Sequence, residues 1–253
     1  MNPRLEGKVA VVTGAGSGIG SASAERLAQE GCAVVVGDLA GANASAVAER
    51  IGAAGGSAIG VAFDQSDDAS VEQLIEAALR RFGRLDFLHA NAADMSQILL
   101  DTDATTVPLA VYDRAIAVNQ RGYLLCTRHA LPHIIAAKGA IVYTSSAAAF
   151  IGEPARVSYG MSKAAVNALM RHVASRWGKE GVRANAIAPG FVATEQNRKQ
   201  LPPGFEASVL ALGRSARIGE TRDVAALVAM LFSADGEWIN GQTIHVDGGV
   251  VLS

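Results

Sequence analysis

The sequence alternates short apolar runs with longer stretches of helical spacing along almost its whole length. We predict strands at 8–12, 33–37, 57–62, 85–89, 140–144, 182–187 and 242–246. We predict helices at 19–30, 43–54, 69–82, 109–137, 159–178 and 222–233. Repeated strand–helix–strand units have right-handed crossovers and form a parallel sheet with helices on both faces. The expected fold is therefore α/β, a single doubly wound domain over 1–253 with a parallel sheet of about seven strands.

Two parts of the chain interrupt this alternation. Pro132 lies inside the longest predicted helix, and we expect it to bend that helix or to end its regular part. The segment 191–217 is long, mixed in composition, and contains Pro202-Pro203-Gly204. A stretch of this length within a compact domain is usually a functional lid or has some helix of its own. We expect 191–217 to be a substrate lid.

Composition narrows the classes of partner. Half of the residues are hydrophobic and 5% are aromatic, which suits a core of aliphatic parallel strands. The net charge is -2 and there is no run of Lys or Arg, so nucleic acid is not expected as a partner. No apolar run approaches the roughly 18 residues of a membrane span, and residues 1–8 have no apolar signal core. Cys32 and Cys126 fit no redox or metal spacing, so we expect reduced thiols in a cytoplasmic protein.

A glycine-rich turn follows the first predicted strand and opens the first predicted helix. It reads Thr-Gly-Ala-Gly-Ser-Gly-Ile-Gly over 13–20. Glycines allow the backbone to turn tightly and approach a diphosphate, while the N-terminal N–H groups of the helix point at it. A simple turn is the alternative, but the position between strand and helix favours a dinucleotide site of the Rossmann kind. We predict cofactor contacts from Gly14, Ser17, Gly18, Ile19 and Gly20.

Acidic residues after the next two strands indicate which dinucleotide is bound. Asp38 follows the last glycine of the turn by 18 residues (38 − 20), close to the spacing of the ribose-binding acid. Its carboxylate would bind the ribose hydroxyls and repel a 2′-phosphate, which favours NAD, although a turn-forming Asp is the alternative. Asp64 is predicted to contact the adenine or else to cap a helix, and the adjacent Gln65 is included among the cofactor contacts.

A tyrosine and a lysine four residues apart suggest proton-transfer chemistry. Tyr159 and Lys163 lie on one face of a predicted helix. A nearby ammonium favours the phenolate and should lower the tyrosine pKa, so that the pair could exchange a proton with an alcohol oxygen. Ser146 follows the fifth strand and precedes Tyr159 by 13 residues (159 − 146), which allows its hydroxyl to hydrogen-bond the same oxygen. Ser145 is the rival but should face the other way.

These motifs together resemble the short-chain dehydrogenase/reductase family, in the type whose chains are about as long as this one. The resemblance covers 8–249 and rests on the turn at 13–20, the motif at 90–93, Asn119, the Ser146, Tyr159 and Lys163 set, Pro189-Gly190 with Thr194, and the tail at 240–249. The sequence departs from the family at Ala90 and Ala93, which replace Asn and Gly, and at Asp94, where an apolar residue is more usual. We expect these changes to alter packing beside the nicotinamide and to remove no catalytic group.

The resemblance implies roles for further residues. Lys163 would also hold the nicotinamide ribose, and Asn119 would position a water that relays protons from Lys163. The alternative for Asn119 is a structural amide in a bent helix, and both roles are compatible. The implied contacts of the cofactor also include Asn91, Pro189, Thr194 and the backbone of Ile187 and Val192. The family's usual assembly implies a homotetramer.

The predicted function is hydride transfer between NAD(H) and a small secondary alcohol or ketone, with Tyr159 as general acid/base. The alternatives are a 3-oxoacyl thioester reductase of the fatty-acid type and a nucleotide-sensing regulatory protein. The five histidines form no metal-binding motif, so no metal is expected. We expect the substrate pocket between 94–107, 147–157 and 191–217, with an apolar lining from Ala148, Ala149, Phe150, Ile151 and Phe191. Arg156, Arg198, Arg214 and Arg217 are candidate anion contacts, although surface positions in solvent are favoured for them.

Overall fold

A computed structural model of the chain describes residues 4–198 and 201–252. Its strands are β1 (Val9–Thr13), β2 (Ala33–Asp38), β3 (Ala58–Ala62), β4 (Phe87–Ala90), β5 (Ala140–Thr144), β6 (Arg183–Pro189), β7 (Val192–Ala193), β8 (Gly219–Glu220) and β9 (Thr243–Val246). Within the described residues, seven of them form one parallel sheet in the order β3-β2-β1-β4-β5-β6-β9, and β7 pairs with β8.

Helices connect successive strands and cover both faces of the sheet. They are α1 (Gly18–Gln29), α2 (Gly41–Ala53), α3 (Asp68–Phe82), α4 (Leu109–Ala115), α5 (Gly122–Ala137), α6 (Val157–Trp177), α7 (Glu195–Arg198), α8 (Phe205–Leu212) and α9 (Thr221–Phe232). A π-helical segment, Ile116–Arg121, joins α4 to α5 without a break. The predicted doubly wound α/β fold is confirmed, with most element ends within one or two residues of the expected positions.

The core consists of two apolar layers, one on each face of the sheet. Alternate residues of β1 enter different layers: Val9 and Val11 pack with α3, α5 and α6, whereas Ala10 and Val12 pack with α1, α2 and α9. This is the two-residue period of a strand buried on both faces. Each fully buried Val or Leu contributes about 1.5–3 kcal/mol, so the two layers hold the strand ends firmly.

The strand order reverses between β1 and β4. These strands pair in parallel, with Ala10 opposite Phe87, Val11 opposite Leu88 and Val12 opposite His89. The connections from β1 lead to one side of the sheet and those from β4 lead to the other, which leaves a crevice beyond the carboxyl ends of this pair. Ligands of open parallel sheets bind in such crevices.

The two irregular parts of the sequence have defined structures. The long helix continues past Pro132 to Ala137, so of the two expected effects of this proline, an end to the helix is excluded. A proline removes a single backbone donor, and packing of Leu131 and Ile134 into the core holds the helix together around it. The segment 191–217 contains β7, α7 and α8, and its residues 199 and 200 lie outside the described part of the chain. Among the described residues, none of the helices is long and apolar enough to cross a membrane.

Candidate active site

The glycine-rich turn leaves the N-terminus of α1 open toward the crevice. Gly14 and Gly18 have φ values of +62° and +56°, in the left-handed region that favours glycine. A Cβ on Gly14 would lie 2.6 Å from the Cα of Ala92, so the turn also needs glycine for close approach. Ser17 precedes the helix but makes no side-chain capping bond, and the first turn carries no acidic residue. The free N–H groups therefore fit an anionic diphosphate.

Asp38 lies at the end of β2 beside this turn. Its carboxylate oxygens accept hydrogen bonds from the backbone N–H of Gly16 at 2.8 Å and of Ala40 at 3.0 Å. These bonds orient the carboxylate at the edge of the crevice, as binding of ribose hydroxyls requires. The neighbouring Ser17 and Leu39, which also line the crevice, carry no positive charge.

The crevice is a cleft of about 560 Å³, a size typical of small-molecule sites. The predicted cofactor residues that line it are Gly14, Ser17, Gly18, Ile19, Asp38, Asp64, Gln65, Asn91, Tyr159, Lys163 and Thr194. Four other predicted contacts are absent from its lining: Gly20, Ile187, Pro189 and Val192. Gly20 and Val192 are buried in α1 and β7, and Ile187 and Pro189 belong to the buried strand β6.

Asp64 and Gln65 line the cleft in different ways. The Asp64 carboxylate accepts hydrogen bonds from the hydroxyl and backbone N–H of Ser66, and these bonds lower its pKa below the ordinary value. The residue that caps α3 is Asp67, so the capping alternative for Asp64 is wrong. The Gln65 amide donates to the backbone oxygens of Ala92 and Val118 at 3.0 Å. Its side chain therefore joins the loop after β4 to the π-helical segment at the wall of the cleft.

A buried polar chain lies beneath the cleft. The Asn91 amide donates to the backbone oxygen of Thr13 at 3.0 Å, and its side-chain oxygen accepts from the Thr144 hydroxyl at 3.1 Å. The Thr144 hydroxyl has one hydrogen, which it donates to Asn91. Its oxygen therefore accepts a hydrogen bond from Nε2 of His89, which lies 3.0 Å away. Burial lowers the His89 pKa to about 3, so the ring is neutral at physiological pH. The chain ties β1, β4 and β5 together at their carboxyl ends.

Asp94, which departs from the family pattern, has structural partners beside the cleft. Asn119, in the π-helical segment, accepts from the Asp94 backbone N–H at 2.7 Å and donates to the Asp94 oxygen at 3.3 Å. The Asp94 carboxylate pairs with Arg114 at 2.6 Å. Burial opposes its ionisation, but hydrogen bonds from Ser96 and Arg114 outweigh burial and lower its pKa. The side chain of Asn119 is thus a structural amide, and the charge of the Asp94 carboxylate is balanced by Arg114.

Tyr159 sits in the first turn of α6, and two other segments fix its position. The carboxylate of Asp101 accepts from the backbone N–H groups of Ser158 at 3.0 Å and Tyr159 at 2.8 Å. The Ser146 hydroxyl, after β5, lies close enough to Tyr159 to oppose the rise in the Tyr159 pKa that burial causes. The Ser145 hydroxyl instead donates to the backbone oxygen of Lys163 at 3.3 Å, so it faces α6. The predicted Ser146 and Tyr159 therefore meet at the carboxyl edge of the sheet.

Lys163 is 1% exposed and lies one helical turn below Tyr159. Its Nζ donates to the Tyr123 hydroxyl at 3.0 Å and to the backbone oxygen of Thr144 at 2.8 Å. Burial lowers its pKa to about 7. A lysine with this pKa can change charge near neutral pH.

Burial works against the expectation that Lys163 lowers the Tyr159 pKa. It raises that pKa, and the Ser146 hydroxyl and the charge of Arg156 offset the rise only in part. Lys163 Nζ lies 5.8 Å from the Tyr159 ring centroid and is directed to Tyr123 and Thr144. The four-residue spacing places Tyr159 and Lys163 on one face of α6, but it does not show how deeply both side chains are buried, and burial is the largest cause of both pKa shifts.

Several cleft and site residues were not predicted from the sequence. Tyr123 binds Lys163, and Asp101 binds the backbone of Tyr159. The cleft is also lined by Thr144, Arg114 and Val118. Tyr123 could have been found, because it lies four residues after Asn119 on one helix face. The loop position of Asp101 gives no comparable signal. In the parts of the chain that the structure describes, no three His, Cys, Asp or Glu side chains are grouped to hold a metal ion.

Comparisons with known proteins agree with this architecture. The family model described as "Enoyl-(Acyl carrier protein) reductase" matches residues 14–251. A probable short-chain type dehydrogenase/reductase of Bradyrhizobium diazoefficiens is 43% identical over 98% of this chain and 89% of its own. A cis-4-hydroxycyclohexanecarboxylate dehydrogenase of Sinomonas cyclohexanicum is 39% identical over 96% of both chains. A 3-oxoacyl-[acyl-carrier-protein] reductase of Thermotoga maritima is 32% identical over 98% of this chain and all of its own.

A solved structure has the same fold throughout. A 7α-hydroxysteroid dehydrogenase in complex with NADH and 7-oxo glycochenodeoxycholic acid superimposes with a TM-score of 0.91, at 31% identity, covering 100% of this chain and 97% of its own. The chain belongs to the short-chain dehydrogenase/reductase family, and it is an oxidoreductase of that family.

Proposed function

We propose that the protein transfers a hydride between NAD(H) and a secondary alcohol or ketone, with Tyr159 as the general acid/base. The observation that carries this proposal is that Tyr159 and Lys163 line the same cleft as the glycine turn and Asp38, at the point where the strand order reverses. A proton-transfer pair thus shares one cavity with a dinucleotide cradle.

NAD is proposed over NADP because of the position of Asp38. Its carboxylate is held at the cleft edge by two backbone N–H groups. There it can accept from ribose hydroxyls, but it would repel a 2′-phosphate. The 7α-hydroxysteroid dehydrogenase, which was solved with NADH, supports the same choice.

The proposed mechanism assigns one task to each side chain. When bound, the nicotinamide supplies or accepts the hydride. Tyr159 gives its hydroxyl proton to the ketone oxygen, or takes the proton of the alcohol in the reverse direction. Ser146, which lies beside Tyr159, donates to the same oxygen as charge develops on it. Lys163, when protonated, favours the phenolate that forms when Tyr159 loses its proton. Asn119 holds the backbone of Asp94 and so shapes the adjacent wall.

Replacing the tyrosine tests the mechanism. Tyr159→Phe should lower kcat by about 10²–10⁴ while leaving cofactor affinity almost unchanged, because one general acid/base is lost. Tyr112→Phe, on α4 outside the cleft lining, is the matched control and should retain turnover. Near-normal kcat in Tyr159→Phe would show that the assigned mechanism is wrong. Cofactor binding without turnover on any alcohol or ketone tested would favour the nucleotide-sensing alternative.

For the substrate we propose an uncharged or weakly polar secondary alcohol, cyclic in shape. Of the four candidate anion-binding arginines, Arg156 pairs with Glu153, and Arg217 makes two bonds to Asp223. Arg214 donates to backbone oxygens of the 212–213 turn. Phe150 and Ile151 are partly exposed after the Ser146 turn. The cis-4-hydroxycyclohexanecarboxylate dehydrogenase and the 7α-hydroxysteroid dehydrogenase support the cyclic shape of the substrate.

The 3-oxoacyl thioester reductase remains the second candidate, because a reductase of that name is 32% identical to this chain. The test compares kcat/KM for uncharged cyclic secondary alcohols with that for 3-hydroxyacyl thioesters. A thioester preference of tenfold or more, about 1.4 kcal/mol in transition-state binding, would overturn the substrate assignment and leave the oxidoreductase class intact.

We also propose that 191–217 acts as a substrate lid. The rings of Phe191 and Phe205 pack edge to face with their centroids 5.0 Å apart, which gives the lid its own apolar contact.

We further propose that the protein is a homotetramer. On the outer faces of the long helices, the residues Leu109, Leu124 and Met161 are more than half exposed. Apolar side chains exposed in this way are typical of an interface. A stable monomer in light scattering at micromolar concentration would contradict the tetramer.

A further inference from the structure

Lys163 and Tyr123 meet where α6 and α5 cross over the end of β5. Lys163 Nζ donates to the Tyr123 hydroxyl at 3.0 Å and to the backbone oxygen of Thr144 at 2.8 Å. The Tyr123 hydroxyl in turn donates to the same backbone oxygen at 3.1 Å. The three atoms form a closed triangle, and both side chains are fully buried.

The direction of these hydrogen bonds is fixed. A tyrosine hydroxyl has one hydrogen, which Tyr123 gives to Thr144, so its oxygen is free to accept from Lys163. Burial holds the Tyr123 pKa well above its ordinary value, so the hydroxyl stays neutral and protonated. The negative end of its dipole is therefore always presented to the ammonium.

We propose that Tyr123 is a positioning residue that holds the Lys163 ammonium, through its hydroxyl oxygen, in the place from which Lys163 serves Tyr159. This inference rests on the proposed function of Tyr159 and Lys163. The Tyr123 ring also lies under the ammonium, with Nζ 4.7 Å from the ring centroid. Loss of the oxygen alone would leave that ring contact in place.

Other ionisable groups surround the pair, and none replaces the Tyr123 oxygen. Those that line the cleft with Lys163 or lie behind it are Asp38, Asp64, His89, Asp94, Arg114, Cys126 and Tyr159. Asp94 pairs with Arg114, and His89 is neutral and bonded to the Thr144 hydroxyl. Desolvation by burial lowers the Lys163 pKa, and an acceptor that favours the charged form limits this loss.

Tyr123→Phe removes the oxygen and keeps the ring, and Tyr143→Phe is its matched control. Tyr143 is buried beside Tyr123, with ring centroids 6.4 Å apart, and its hydroxyl bonds Thr127 rather than Lys163. The first readout is an NMR titration of the lysine side chains in the full-length protein without cofactor, which is practical because the chain has five lysines. We expect the Lys163 midpoint to fall by about one pH unit in Tyr123→Phe, a tenfold change in proton affinity, and to stay in place in Tyr143→Phe.

The second readout is the pH profile of kcat for alcohol oxidation. In Tyr123→Phe a smaller fraction of the protein carries a protonated Lys163 at a given pH. The Tyr159 phenolate is then less favoured and forms at higher pH, so the rising limb of the profile should move to higher pH. Equal Lys163 titrations in the two variants and the unaltered protein would overturn the inference and reduce Tyr123 to a packing residue. A Lys163 shift combined with full turnover in Tyr159→Phe would instead refute the proposed function and leave the Tyr123–Lys163 contact standing.

Discussion

The carboxylate of Asp101 binds the backbone of Tyr159 across 58 residues of sequence, with its oxygen 2.8 Å from the tyrosine N–H. Its other oxygen binds the N–H of Ser158 at 3.0 Å. Asp101 belongs to the loop after β4 and is buried. A buried anion at the N-terminus of α6 satisfies donors that the helix itself leaves free and interacts favourably with the helix dipole. The loop thereby sets where the candidate acid/base stands.

Asp101→Ala should therefore harm both stability and turnover. Loss of a helix-capping carboxylate costs about 0.5–2 kcal/mol, and a displaced Tyr159 should lower kcat by about tenfold to a hundredfold. Asp67→Ala is the matched control, because Asp67 caps α3 through the N–H groups of Ala69 and Ser70, away from the cleft lining. It should cost similar stability in urea denaturation and leave kcat unchanged. Equal kcat values for the two variants would argue against a positioning role for Asp101.

The Asp101 contact also shows where sequence reasoning stops. The strands were predictable because runs such as Val9–Thr13 combine β-branched residues with a following glycine turn. The glycine turn, Asp38, Ser146 and Tyr159 were predictable because each follows a strand end or opens a helix. Contacts between distant segments were not, because they depend on how helices cross. Tyr123 and Lys163 are 40 residues apart, and their hydrogen bond is visible only in the folded chain.

Gly14 should tolerate no side chain. Gly14→Ala places a Cβ 2.6 Å from the Ala92 backbone and forces alanine to φ +62°. We expect a loss of stability of more than about 1 kcal/mol together with loss of NAD binding. Gly52→Ala is the contrasting control, since Gly52 lies in α2 with nothing within 4 Å of its Cβ position. It should stabilise the protein by about 0.5–1 kcal/mol in the same denaturation experiment.

Cofactor choice should follow the charge at the end of β2. Asp38→Ala combined with Leu39→Arg removes a repulsion for the 2′-phosphate and adds a cation at an exposed position of the cleft. We expect the ratio of kcat/KM for NADP to that for NAD to rise by at least about tenfold. Leu39→Ala alone should leave the ratio close to its original value. Comparable efficiency with NAD and NADP in the unaltered protein would speak against the role of Asp38.

Lys163 should make stability depend on pH. Burial lowers its pKa from 10.5 to about 7, so between these values the unfolded chain holds a proton that the folded chain has released. Stability therefore rises with pH through this window, and the penalty of burying the charge is fully present below it. In Lys163→Met this rise should be missing from melting curves taken between about pH 7 and pH 9.5. Lys179→Met, at an exposed position, should keep the curve shape of the unaltered protein.

The reversal of strand order divides the sheet into two halves that meet at the β1–β4 pair, directly beneath the cleft. A dinucleotide bound there would contact both halves at once and act as a clamp across their seam. Opening the seam would then require release of the ligand, which adds about 2.7 kcal/mol to the opening free energy at a hundredfold excess over Kd. Amide hydrogen exchange should report this at the N–H groups of Val11 and Leu88, where protons that exchange through opening of the seam should slow in proportion to cofactor saturation.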